Sequence, residues 1–285
     1  MPTDTVQDAP QGLTLQNAVS PERVEKISAA AYRIRHHALN MGEVQGQGYV
    51  GQALGAADML ATVYGDQLRF RAEDPHWEAR DRFLLSTGHY AIGHYAALAE
   101  AGVVPVEELE TYGSDDSRLP MSGMSTYTPG MEISGGSLGH GLTIAVGEEV
   151  EHPGEGSTWE AAMGAHHHQL GNLTAMVDIN ALQADGKTDT VLRTEPVTEK
   201  WESFGWYTQR VDGNDVGALL AAFDNAAAQA AAVGRPSVIL CDTKVGRGVP
   251  LLEDREKAHF MRIEENEWQI CREQLTAGYE GKASA

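Results

Sequence analysis

The stretch EGSTWEAAMGAHHHQLGNLTAMVDINALQADG, residues 155–186, decides how this chain is read. A polar start leads into a long helical segment, then an apolar run at Leu173–Val177, then a loop opening on Asp178-Ile179-Asn180. A short apolar run bounded by turn formers fits a buried strand, and a helix beside it fits the crossover of a parallel sheet. In an open α/β sheet, the loop after such a strand is where polar groups converge on a ligand.

Outward from this segment the same alternation continues. Ser20-Pro21-Glu22 predicts a helix start, with Ser as the cap and Pro in the first turn. That helix is expected to run to about Asn40, with Val24, Ile27, Ala30, Ala31 and Ile34 on one face. The Gly-rich GEVQGQGYVGQ (42–52) reads as a loop before a helix over 56–64. Phe83–Leu85 reads as a short buried strand ending in Ser86-Thr87-Gly88-His89, followed by a helix from Ala91 to Ala101 and a short one opened by Pro105. Residues 113–136 form a long loop, and helices are expected over 136–146, near 197–204 and over 215–233. A polar loop spans 184–195, and strands are expected at Trp206–Val211 and Ser237–Cys241. The fold class is α/β, with a mainly parallel sheet covered by helices on both faces. Residues 1–19 read as a tail or arm, and 20–285 as one domain.

One interval breaks the pattern. Between the helix ending near Val146 and the one starting near Ser157 lies only GEEVEHPGEG (147–156), with no apolar run of strand length. Two helices meet where a βαβ order would place a strand, so a central strand is expected to be missing or rearranged.

Composition narrows the function classes. The 285 residues are 42% hydrophobic, enough for a sizeable core, and 41 acidic against 21 basic residues leave a net charge of −20. That balance argues against nucleic acid, which needs basic stripes to meet phosphates. It leaves room for an anionic cofactor held locally by helix N-termini and a metal ion. Two cysteines, Cys241 and Cys271, imply no disulfide framework. With no signal-peptide pattern and no apolar stretch judged to reach bilayer-spanning length, the expected location is the cytoplasm, away from membranes.

Three strand ends carry polar groups: Ser86–His89, Asp178–Asn180 and Asp242-Thr243-Lys244. In a parallel sheet they share one edge and can line one crevice. Taken singly, His89 is more often a capping histidine than a phosphate donor, and Asn180 more often a turn residue than a ligand. His166-His167-His168 cannot chelate one ion from one face, because consecutive helical residues point about a hundred degrees apart. The acidic run Glu148, Glu149 and Glu151 reads as a solvated loop.

Several runs in order carry a resemblance. LLSTGHYAIGHYAALAEAG (84–102), TPGMEISGGSLGHGL (128–142), residues 155–186, VDGND (211–215) and VGRGVPLLEDREKAH (245–259) together resemble the N-terminal, diphosphate-binding half of a transketolase. The length fits one subunit of a split enzyme whose pyrimidine-binding, C-terminal half is a separate chain. The resemblance implies thiamine diphosphate and Mg2+ as cofactors, a ketose or keto-acid donor and an aldehyde acceptor. It places His89, Gly136, Ser137 and Leu138 at the cofactor, Glu155 beside the diphosphate, and Glu160 in a network linking two active sites. Asn180 and the Leu182 carbonyl resemble magnesium ligands, while His259 resembles the histidine near the cofactor and the substrate carbonyl. His89 and His259 are the candidates for proton transfer, with Glu160 as a third catalytic candidate.

Three departures from the family pattern are visible. Tyr49 stands in Gly48-Tyr49-Val50-Gly51 where transketolases carry a histidine, and Met121-Ser122 stand where a second histidine is expected. Losing both implies a less hydroxylated or differently shaped substrate at Tyr49, Met121 and Ser122. The Gly-Asp-Gly strand expected before Glu155 is replaced by EEVEHPG (148–154), removing the one charged protein ligand of the metal. Two readings therefore stand side by side: a carboligase subunit that works only with its partner, and a cofactor-incompetent scaffold or regulatory subunit.

Overall fold

Val238 and Leu240 face one side of a strand while Ile239 and Cys241 face the other, and all four are fully buried. This strand is the middle of the sheet, and helices cover both of its faces. The structure, a computed structural model, describes residues 19–283 except 137, 150–157, 254, 256 and 257. In chain order its elements are α1 (Pro21–Gln45), β1 (Gln47–Gly48), α2 (Val50–Thr62), α3 (Ala91–Glu100), α4 (His140–Glu149) and α5 (Thr158–His167). Then come β2 (Thr174–Ile179), β3 (Leu182–Gln183), β4 (Gly186–Lys187), α6 (Thr188–Val191), α7 (Val197–Ser203) and β5 (Tyr207–Asp212). The chain closes with α8 (Val216–Val233), β6 (Ser237–Asp242), α9 (Pro250–Glu253), β7 (Met261–Arg262) and α10 (Glu267–Ala283).

The main sheet has the order β2-β6-β5, all parallel, with Asp178 opposite Cys241 and Asp212 opposite Asp242. One face packs Val238 and Leu240 with Ala162 and Ala165 of α5, Trp201 of α7 and Trp206. There Trp206 donates its ring N–H to the Ala162 carbonyl at 2.9 Å. The opposite face packs Ile239 and Cys241 on Leu219 and Ala222 of α8 and Met59 of α2. The alternation is the period-2 pattern of a strand buried on both sides. The largest core joins α1, α2 and α3, and α2 is buried along its whole length.

Several boundaries differ from those the sequence predicts. Helix α1 starts as expected, with the Ser20 hydroxyl accepting from the Arg23 N–H, but runs on to Gln45, where Gly46 ends it with φ 68°. Helix α2 begins at Val50, inside the Gly-rich stretch expected to be a loop. Its glycines serve contact: a Cβ on Gly51 would lie 2.5 Å from Met261 Cε, and one on Gly55 2.9 Å from the Lys244 carbonyl oxygen. Asp178 and Ile179 belong to β2, not to the loop after it, and α4 begins at His140 instead of Gly136. The polar 184–195 loop holds part of the β3–β4 hairpin and α6, and α10 carried no sequence expectation.

Phe83–Leu85 forms no ladder, although its apolar run predicts a strand. A strand needs a partner for its N–H and C=O groups. Among the described residues nothing pairs with the outer edge of β2. All six β2 residues are only half-buried, whereas five of the six in β6 are buried. Among the described residues that edge of β2 is thus unpaired, in line with the expectation that a central strand is missing or rearranged. Most of the 147–156 interval lies outside the described residues, as do the first eighteen residues of the expected tail.

One composition reading needs correction. Val216–Val233 is 18 residues long with mean hydropathy 1.3, enough by length and composition to cross a bilayer. In this fold Leu219 and Ala222 of that helix lie against the sheet and Leu220 against the main core.

Candidate active site at the carboxyl edge of the sheet

Asp178, the last residue but one of β2, organises the strand ends. Its carboxylate accepts from the Tyr90 hydroxyl, from the Thr243 hydroxyl after β6, and from the Asn180 side-chain amide at 2.9 Å. Asn180 also donates to the Tyr90 oxygen at 3.0 Å, while its own Oδ1 accepts the Leu182 N–H at 3.0 Å. Between them Ala181 sits at φ 59°, a left-handed conformation that costs an alanine of order 1 kcal/mol. Strain of that kind marks a turn held by its surroundings. The ends of β2 and β6 therefore meet as expected, with Asp178 as the hub, and the 86–90 segment joins them through Tyr90, although no strand precedes it. Tyr90 is nearly buried, and burial first, then the Asp178 charge, pushes its phenol well above the ordinary range, so it remains a neutral donor.

A ring cluster stands beside this hub. The two-residue ladder of β1 with β7 pairs Gln47 with Arg262 and Gly48 with Met261, bringing the start of α2 against residues 259–262. Tyr49 consequently lies 4.7 Å from His89, 5.5 Å from His259 and 5.1 Å from Phe260, ring centre to ring centre. The two histidine rings are 5.5 Å apart. Burial, aided by His259, lowers His89 to about 4, so its imidazole is neutral near pH 7. Gln52, buried in the first turn of α2, donates to the His259 carbonyl at 2.5 Å and meets Nδ1 at 3.3 Å. Its Oε1 is buried without a partner. Such an orphaned acceptor beside His259 is what an unfilled ligand site presents.

Backbone packing closes the floor. A Cβ on Gly88 would lie 2.0 Å from the Gly135 carbonyl oxygen, so the His89 turn and the 113–136 loop touch main chain to main chain. Gly136 beyond it is open, and Leu138 is 64% exposed. Ser122 donates to the Gly135 carbonyl at 2.9 Å, whereas Met121 turns into the main core beside Gly113. Glu160 is exposed in the first turn of α5, away from the interior. Ser137 and Glu155 lie outside the described residues, as do Glu151 and the side chain of Glu149.

Sequence reasoning missed the support behind these loops. Arg35 of α1 pairs with Asp58 of α2, both nearly buried, and also donates to the Leu54 carbonyl at 3.0 Å. Asn214 donates to Asp58 at 3.0 Å and accepts the Lys244 N–H at 2.9 Å, next to Thr243. The signal available was the asparagine in VDGND, a turn residue whose side chain binds backbone. Tyr90 also escapes the sequence, hidden by its place in an apolar run.

Comparison with known proteins sets this edge in context. The family model described as "Transketolase, thiamine diphosphate binding domain" matches residues 26–154 and 151–284. The chain belongs to the transketolase family. Its match divides at the 147–156 interval, where the sequence shows no apolar run of strand length. A transketolase family protein of Sinorhizobium fredii is 56% identical over 265 residues, covering 87% of this chain and 94% of that protein. One subunit of an apulose-4-phosphate transketolase, from Actinobacillus succinogenes, is 33% identical over 274 residues, covering 90% and 97%. A solved transketolase of Pichia stipitis, in complex with fructose 6-phosphate, superposes with a TM-score of 0.76 at 27% identity. That match covers 90% of this chain but 44% of the other, so this chain spans less than half of the solved enzyme.

The residues fit the two implied cofactors unequally. The neutral His89 imidazole with His259 beside it, the orphaned Gln52 oxygen and the Gly88–Gly135 floor suit thiamine diphosphate. For magnesium, the described residues offer the Asn180 Oδ1 and the Leu182 carbonyl, both oxygens of the right kind but both neutral. Asp178 already accepts three hydrogen bonds, and among the described residues no cluster of three His, Cys, Asp or Glu side chains could hold a metal.

Proposed function

We propose that this chain is the N-terminal subunit of a thiamine diphosphate-dependent, transketolase-like carboligase of the cytoplasm, active with a separate C-terminal-half subunit. The reaction transfers a ketol or acyl unit from a ketose or keto-acid donor to an aldehyde acceptor. The observation that carries this reading is the convergence of His89, His259 and Asn180 at one sheet edge in a thiamine diphosphate-binding family domain. Supporting it, relatives of matching length are named as transketolase subunits, including a 6-deoxy-6-sulfo-D-fructose transketolase subunit of a Clostridium species, 34% identical over 243 residues.

Bound thiamine diphosphate supplies the electron sink for breaking and making a carbon–carbon bond. Asn180 and the Leu182 carbonyl are the residues that would hold magnesium, and His89 with Gly136 and Leu138 would face the diphosphate. As a neutral imidazole, His89 can donate from one nitrogen and accept at the other, moving a proton to or from a substrate oxygen. His259, anchored by Gln52, stands 5.5 Å from it as the second candidate for proton transfer across the cluster. Tyr49 and Phe260 present ring faces, which favour a less hydroxylated substrate over a polyol chain. The chain alone is expected to be inactive. Turnover of a ketose by the isolated subunit with thiamine diphosphate and Mg2+ would overturn the split-enzyme reading.

Among the described residues, the unpaired outer edge of β2 and the lack of a charged metal ligand favour a second reading, a scaffold or regulatory subunit. Calorimetric titration of the mixed subunits with thiamine diphosphate and Mg2+ separates the two. Micromolar binding sinks the scaffold; absence of binding sinks the enzyme.

A further inference from the structure

An asparagine side chain is nearly symmetric in shape but not in chemistry, and only its oxygen can serve a cation. Whether Asn180 can hold magnesium therefore depends on which end of its amide faces outward. Three partners settle the orientation. The Asp178 carboxylate accepts from Nδ2 at 2.9 Å, the Tyr90 oxygen accepts from the same Nδ2 at 3.0 Å, and the Leu182 N–H occupies one lone pair of Oδ1 at 3.0 Å. Reversing the amide would set an oxygen against a carboxylate and an N–H against an N–H, so one orientation is favoured.

We propose that Tyr90 is a positioning residue for the metal ligand, its phenol locking the Asn180 amide with Oδ1 outward. Asp178 alone would not suffice. It lies two residues from Asn180 on the same strand end and turns with it, whereas Tyr90 comes from the separate segment 88–90. Its hydroxyl closes a three-sided ring: it donates to Asp178 and accepts from Asn180, which also donates to Asp178. Thr243 donates to the other Asp178 oxygen and stops that carboxylate from rotating. Burial in the main core fixes the Tyr90 ring itself. Its position beside the outer edge of β2 also matters, because the phenol ties the 83–90 segment to β2 where no ladder does among the described residues.

This inference rests on the cofactor reading above, and its test distinguishes the two. In Tyr90→Phe the ring still fills its place while the hydroxyl is lost. With the partner subunit present, the dissociation constant for thiamine diphosphate in saturating Mg2+, read by calorimetry, is expected to rise about tenfold, the size of a lost hydrogen bond to a charged group. Independently of any cofactor, the Asn180 side-chain amide protons should exchange slowly with solvent in the wild-type chain and faster in Tyr90→Phe, as read by NMR. Tyr64→Phe is the control, because it removes a buried phenol from His94 elsewhere in the core, and cofactor binding should not change. Wild-type binding with an unaltered constant in Tyr90→Phe would overturn the positioning role alone. A wild-type assembly that binds no thiamine diphosphate would overturn the cofactor reading and this role with it.

Discussion

Replacing Gly88 by alanine tests the floor of the site most directly. The added Cβ would lie 2.0 Å from the Gly135 carbonyl oxygen and 2.3 Å from its carbon, well inside the 3.4 Å at which ordinary contact begins. Both neighbours are main chain, so no rotamer change relieves the clash, and the two loops must part by about 1 Å. Parting them strains the Gly123 N–H bond to the Gly88 carbonyl at 3.1 Å and the Gly135 N–H bond to the Gly123 carbonyl at 3.1 Å. Overpacking of this kind costs roughly 1–3 kcal/mol, and each weakened bond adds about 1 kcal/mol at most. The expected loss is about 2–4 kcal/mol, which at roughly 2–4 °C per kcal/mol lowers Tm by about 4–16 °C. Gly136→Ala is the matched control, since its Cβ meets nothing within 4 Å, and should stay within about 0.5 kcal/mol. Scanning calorimetry of both variants checks this. A Gly88→Ala chain melting within about 1–2 °C of wild type would refute the claim that the two backbones touch.

Three further outcomes are expected. Asp58→Ala leaves the Arg35 guanidinium buried without its partner and takes an acceptor from Asn214, so it should cost about 3–5 kcal/mol by urea denaturation, with Asp58→Asn less damaging. His89 should titrate near 4 by NMR. Because its folded value lies below the unfolded one near 6.5, stability is unaffected above that range and falls as pH drops from about 6.5 to about 4; a midpoint near 6.5 would contradict the burial argument. Tyr49→His should raise kcat/KM of the assembled enzyme for a hydroxylated ketose donor about tenfold relative to a less hydroxylated one, measured by competing the two donors.

What the sequence displayed well was local and periodic. Ser20 caps α1 as its sequence predicts, Asp215 caps α8, and the apolar run before Asn180 is β2. Asn180 and Leu182 drew attention through the family resemblance and not through their local pattern, and the structure sets both directly after β2. What escaped depended on contacts far apart in the chain. The β1–β7 ladder that seats Tyr49 against His259 joins residues some two hundred positions apart, through segments of two residues with no pattern of their own. The glycines of α2 looked like loop formers because the Met261 and Lys244 atoms they make room for are equally distant in sequence. Tyr90 reads as one more apolar residue, since only the folded chain shows its hydroxyl against Asp178.

The charge arrangement leads one step further. Asp178 puts a negative charge immediately behind Asn180, yet three donors surround it, so it orients the metal ligand instead of coordinating. Among the described residues, the groups facing a cation are then a neutral amide oxygen and a main-chain carbonyl. A dication prefers anionic oxygens, and a diphosphate supplies them. Metal and cofactor should therefore enter as a pair, each weak without the other, with the diphosphate contributing the negative charge that the two neutral oxygens lack. His89 fits this arrangement because it is neutral: a second cation there would compete with the metal for the same oxygens, whereas an uncharged N–H donor adds a hydrogen bond without doing so. On this view the site persists among the described residues with its negative charge supplied by the ligand and not by the protein. The tuned parts that remain, Tyr90, Asp178 and Thr243, hold a neutral oxygen where that ligand can use it.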